Sequence, residues 1–122
     1  MAARRRHILV VEDDPVIGMM LQDMLQQLDF HPVGPAGSVA AALKLLVETP
    51  KVHAALLDCN LGRESVWPVA DQLRRQDIPF VFSTGYGAAG VEPRFADAPV
   101  LSKPFPIASL ERALMPLLGD GT

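Results

Sequence analysis

Short apolar runs alternate with stretches of helical period along this chain. The runs fall at 8–11, around Val33, and at 54–57, 80–82 and 100–101, and none alternates polar with apolar residues. A strand that is apolar on both faces belongs in a parallel sheet covered by helices on each side, joined through right-handed crossovers. The pattern predicts an α/β fold built on five strands.

The periodic stretches carry their own start and stop signals. Asp14-Pro15 pairs a capping residue with the ring that suits the first helical turn, and Ile17, Leu21, Met24 and Leu28 follow on one face. That stripe is core, and the methionines at 19, 20 and 24 are read as helix core rather than as a cofactor box. Ser38 caps a second helix bearing Val39, Leu43 and Leu46, which ends near Pro50 because the residue before proline resists helical geometry. A third carries Val66, Val69, Ala70 and Leu73, with Trp67 as packing, and the last follows Pro106 with Ile107, Leu110, Leu114 and Leu117. Between 86 and 99, Gly87, Gly90, Pro93 and Pro99 break any stripe, so a helix there is expected to be short or absent. Residues 1–6, with Arg4, Arg5 and Arg6, are expected to form a flexible basic tail, and 119–122 a frayed end. The whole of 1–122 reads as one domain with no stretch left for an output domain.

Composition narrows the function classes. At 122 residues and 49% hydrophobic the chain has apolar material for one sizeable core. A net charge of −3 disfavours a surface built to neutralise a phosphate backbone, so nucleic acid is not an expected partner. No apolar run approaches the roughly 20 residues of a membrane helix, so no membrane partner is expected. The single cysteine, Cys59, has no second thiol for an internal disulfide, which fits a reducing compartment, and the cytoplasm is the expected location. Cys59 is a candidate redox handle, with an inert small side chain the favoured reading; His7, His31 and His53 show no ligand spacing and read as polar residues flanking strands.

In an open parallel sheet, ligands bind beyond the carboxyl ends of the strands. Those ends carry Glu12-Asp13-Asp14, Asp58, Ser83-Thr84 and Ser102-Lys103. Each alone is an ordinary turn or cap residue. Together they place carboxylates that would repel by about 3 kcal/mol per pair at ~5 Å and an effective dielectric near 20. A divalent cation removes the conflict, and all-oxygen ligands suit the hard Mg²⁺ ion. Phosphoryl transfer asks for charge stabilisation around three equatorial oxygens. Asp58 supplies an attacking carboxylate, Lys103 a fixed positive charge and Thr84 a hydroxyl donor.

Val10-Val11-Glu12-Asp13-Asp14, Leu56-Leu57-Asp58, Thr84-Gly85 and Lys103-Pro104-Phe105 resemble the receiver domains of two-component response regulators, over nearly the whole chain. The resemblance implies a flavodoxin-like three-layer fold with strand order 2-1-3-4-5 and helices on both faces. It also implies Mg²⁺ held directly by Asp13 and Asp58, through water by Glu12, and by the backbone carbonyl of Asn60. Phosphorylation of Asp58 by a histidine kinase or phosphotransfer protein is implied, with the chain catalysing only its own phosphorylation and dephosphorylation. An unknown downstream protein, or onward phosphotransfer, would carry the signal; a monomer or weak dimer is expected. Pro79 to Tyr86 further resembles the PFxFATGY signature of the receivers nicknamed FAT GUY, with Ser83 where alanine is usual. That subgroup is associated with an atypical fourth helix.

Two positions depart from the wider family. Val100 stands where an aromatic switch residue is expected, and Gly62 where a proline is usual. Tyr86 is the candidate to take over switching, with a loop-holding aromatic as the equal alternative. Two other functions remain open from sequence: a binding module whose carboxylates are relics, against which Thr84 and Lys103 count, and a small phosphatase using Asp58, against which Asn60 and the lack of a cap domain count.

Overall fold

The structure, a computed structural model, describes residues 5–85 and 87–118. In chain order it contains β1 (His7–Val11), α1 (Pro15–Gln27), β2 (His31–Ala36), α2 (Val39–Glu48), β3 (Ala54–Asp58), β4 (Asn60–Leu61), β5 (Glu64–Ser65), α3 (Trp67–Arg75), β6 (Phe80–Thr84), β7 (Val100–Ser102) and α4 (Ile107–Leu114). β2-β1-β3-β6-β7 form one sheet and β4-β5 a separate antiparallel hairpin. With the hairpin set aside, the sheet has the expected 2-1-3-4-5 order; the two short strands after Asp58 were not anticipated.

Strand geometry divides the core. Ile8, Val10, Ala54, Leu56 and Val81 pack with Leu21 and Leu25 of α1 and Leu110 and Leu114 of α4. Leu9, Val11, Ala55, Leu57, Phe80 and Phe82 pack on the other face with Ala42 and Leu46 of α2 and Val69 and Leu73 of α3. Successive side chains point to opposite faces of a strand, so these uniformly apolar runs serve two helical layers at once. The result is the flavodoxin-like three-layer fold.

The predicted helix starts are in place. Asp14 Oδ1 accepts from the N–H groups of Val16 and Ile17 at 2.9 and 3.2 Å, and Ser38 Oγ from that of Ala41 at 3.1 Å. Met19 and Met20, expected in the core, are 64% and 52% exposed. With Leu21 and Leu25 turned inward, steps of 100° carry positions 19 and 20 to the outer face. Arg5 and Arg6, placed in the tail from sequence, have partners in the structure. The Arg6 carbonyl accepts from His31 N–H at 2.8 Å, which starts the β1–β2 pairing one residue early, and its guanidinium donates to the Leu118 carbonyl at 2.9 Å. Arg5 pairs with Asp29 at 3.2 Å.

β2 bends onto α1 through Gly34. Its φ is +98°, and an added Cβ would lie 2.8 Å from the Ala36 nitrogen and 2.9 Å from the Val10 carbonyl oxygen. Both obstacles are backbone, so neither can swing aside. Gly34→Ala is expected to lose about 2–4 kcal/mol of stability, read as a lower urea midpoint at unchanged slope.

The connection from β6 to β7 holds two 3₁₀ turns, Gly87–Gly90 and Pro93–Phe95, and no α-helix among its described residues. Phe95 anchors it. Its ring lies 5.7 Å from those of Trp67 and Phe82, and the guanidiniums of Arg74 and Arg94 sit 4.8 and 4.5 Å from its centroid. Arg74 pairs with Asp97, and Arg94 with Asp71 and Glu92.

Candidate functional site

The carboxyl ends of β1, β3, β6 and β7 meet at one end of the sheet, and the alternation of side chains decides what faces inward there. Val10, Leu56, Val81 and Leu101 share the α1/α4 side. Two residues on, Glu12, Asp58, Ser83 and Lys103 fall to that same side by strand alternation. Glu12 is 4% and Asp58 6% exposed, Thr84 closes β6 at 1%, and Asp13 is exposed at the rim.

Carboxylate oxygens of Glu12, Asp13 and Asp58 all lie within 4.8 Å of one another. Lys103 Nζ bridges two of them, 3.1 Å from Glu12 Oε1 and 3.2 Å from Asp58 Oδ2. The second oxygens accept backbone donors: Asp14 N–H reaches Glu12 Oε2 and Asn60 N–H reaches Asp58 Oδ1, both at 3.2 Å. The Asp14 side chain is engaged as the α1 cap, so Asp14 meets the cluster through its backbone N–H. Lys103 N–H donates to the Thr84 carbonyl at 2.9 Å, tying β7 to β6 beside the pocket.

Burial raises the Glu12 carboxyl above its ordinary value, the Asp58 charge adding to the rise while Lys103 and the Asp14 N–H oppose it. Burial works against the Lys103 ammonium too, but the hydrogen bond to Glu12 and the attraction of Asp58 outweigh it and hold Lys103 above its usual range. The lysine shift favours an ion pair; the Glu12 shift comes first from burial of its carboxylate. Among the described residues, three carboxylates against one ammonium leave two negative charges uncompensated. The donors are all oxygen. That charge and those donors fit a hard divalent cation such as Mg²⁺.

Cys59 is 2% exposed and turned into the opposite core layer. Burial, with Asp58 adding, pushes its thiol up to about 11, so the thiolate needed for redox chemistry is scarce and the inert reading holds. His7, His31 and His53 gather at the amino end of the sheet, away from the carboxylates: the His7 ring lies tilted 4.7 Å from that of His31 and stacks 5.8 Å from that of His53. No spacing along the chain announces that grouping, because adjacent parallel strands create it. Among the described residues the acidic trio is the group with metal-binding geometry. Tyr86, the candidate switch, lies outside the described residues.

Comparison with known proteins agrees with this fold. A family model described as the response regulator receiver domain matches residues 8–115. The solution structure of SdrG from Sphingomonas melonis Fr1 is 49% identical, covers 94% of this chain and 98% of that one, and superposes with a TM-score of 0.81. The Thermotoga maritima response regulator TrrA, in complex with Mg(2+)-BeF, is 25% identical over 93% of this chain and 99% of its own, with a TM-score of 0.81. The phyllosphere-induced regulator PhyR of Methylorubrum extorquens is 28% identical over 88% of this chain, which spans 41% of that longer protein.

Proposed function

The chain belongs to the response regulator receiver family, and from that premise we propose that it is a Mg²⁺-dependent phosphorylation switch with Asp58 as the phosphoryl acceptor. The observation that carries this reading is the acidic trio with Lys103 spanning Glu12 and Asp58. Asp13 and Asp58 are assigned as direct Mg²⁺ ligands, Glu12 as a ligand through water and Asn60 as the donor of a backbone carbonyl. Bound there, the ion offsets the charge that gathers on the phosphoryl oxygens.

A carboxylate oxygen of Asp58 attacks phosphorus as the bond to the donor's imidazole nitrogen breaks, and the imidazole leaves. Lys103 follows the new negative charge, and the Thr84 hydroxyl donates to a phosphoryl oxygen. Calorimetry of Mg²⁺ binding, joined to intact-mass detection of an acid-stable, alkali-labile phosphoryl adduct after acetyl phosphate treatment, tests the proposal. Folded protein that takes up neither ion nor phosphoryl group rules it out.

The phosphodonor is a histidine kinase or phosphotransfer protein. We place its docking surface on α1, where Val16, Met19 and Met20 are more than half exposed. Met20, Ile17, Met24 and Phe105 line a cavity of about 110 Å³ that reaches Lys103, so an apolar partner seated there stands beside the acceptor. Met20→Glu is expected to slow transfer from the cognate donor by about tenfold while acetyl phosphate labels it at the parental rate.

Within the family we assign the chain to the FAT GUY receivers, on the 79–86 signature and the 3₁₀ turns that replace a fourth helix. With Val100 at the usual aromatic position, switching is assigned to Tyr86. NMR spectra of Tyr86→Phe and Tyr86→Ala test this: loop shifts on phosphorylation that match the parent's in both variants exclude it.

A further inference from the structure

Lys103 follows β7 at the sheet edge, whereas the carboxylates it bridges stand at the ends of β1 and β3. β6 lies between, and neighbouring strands are ~4.8 Å apart, so the lysine stem crosses over β6 to reach them. The residue in its path is Ser83. Its Cα pairs with Asp58 on one side and Leu101 on the other, and alternation from Val81 turns its side chain to the α1/α4 face that Lys103 crosses. A long or aromatic side chain at this position would obstruct the stem.

Ser83 is more than small. It is 1% exposed, its Oγ has no hydrogen-bond partner among the described residues, and it lines the same cavity as Lys103. A buried hydroxyl left unpaired costs free energy that alanine, the usual residue of the signature, would not. An ammonium has three N–H donors, and two point to Glu12 and Asp58.

We propose that Ser83 is a positioning residue for Lys103, its Oγ accepting the third Nζ–H when a phosphoryl group sits on Asp58. The inference rests on the receiver function proposed above. Phosphorylation draws Nζ off the Asp58 carboxylate toward a phosphoryl oxygen. Ser83 then offers a fixed, neutral acceptor that steadies the ammonium without adding negative charge beside the phosphate.

Ser83→Ala and Ser83→Thr test it at saturating Mg²⁺ with acetyl phosphate as donor. In Ser83→Ala the maximal labelling rate is expected to fall about fivefold, one hydrogen bond's worth, at unchanged half-saturating donor concentration and unchanged Mg²⁺ affinity. Ser83→Thr keeps the hydroxyl and restores the rate. In the beryllofluoride-loaded protein, the Lys103 ammonium ¹H–¹⁵N signal should persist in the parent and in Ser83→Thr and broaden by exchange in Ser83→Ala. Labelling of Ser83→Ala at the parental rate overturns the proposal, as does an equal loss in folded Ser83→Thr. A parent that takes up no phosphoryl group defeats the receiver reading instead.

Discussion

Asp58→Asn will form no alkali-labile phosphoryl adduct with acetyl phosphate and Mg²⁺ under conditions that label the parent fully. The substitution keeps the shape of the side chain, so the amide oxygen can still accept from Asn60 N–H, as Oδ1 does at 3.2 Å. The lost property is nucleophilic charge: an amide has no anionic oxygen to offer phosphorus. A second loss compounds the first. Lys103 keeps Glu12 as its only carboxylate partner of the two it now bridges, and the metal loses an anionic ligand. Removing the nucleophile from a site that otherwise only positions and stabilises leaves no partial route, so the expected fall exceeds 10³-fold. Intact-mass spectra over hours would check it. Labelling of the variant to the parent's level moves the acceptor to another residue and voids the assignment.

Much of the molecule was legible because local chemistry and tertiary role agree. Asp14-Pro15 and Ser38 act where they stand, as caps, and the apolar runs at 8–11, 54–57 and 80–82 became the strands that two helical layers enclose. β2 was legible only at Val33. His31–Ala36 contains Pro32 and Pro35, which suit an edge strand and read as loop until β1 lies beside them. The hairpin β4–β5 escaped because two-residue strands have no period; Gly62, at φ +65° in its turn, was its one cue. Phe95 was missed as a core residue for a related reason: a single 3₁₀ turn cannot display a stripe, so its burial under Trp67 and Phe82 appears only in three dimensions. The site was legible as a set because each member closes a strand, and the end of a parallel sheet gathers strand ends. What order along the chain does not reveal is the bridging of Glu12 and Asp58 by one ammonium, or the buried hydroxyl in its path.

Asp13→Ala separates the electrostatic cost of the pocket from its use. Asp13 lies at the exposed rim with an oxygen within 4.8 Å of two other carboxylates. At an effective dielectric of 20 each repulsion would be about 3 kcal/mol, and exposure moves it toward the value in water, so roughly 1 kcal/mol is the reasonable net figure. Removing the side chain empties no core. Without divalent ions the variant is therefore expected to be more stable than the parent by about 1 kcal/mol. With Mg²⁺ the order changes, because the parent gains stability in proportion to the logarithm of ion concentration over its dissociation constant, whereas the variant binds at least tenfold more weakly. The two unfolding midpoints should therefore approach and then cross as Mg²⁺ is raised. Urea titrations in a chelator and in millimolar Mg²⁺ would show it. If Asp13→Ala is the less stable protein in the chelator, the rim carboxylate is held by favourable contacts, and the crowding that makes the pocket a cation site is not there.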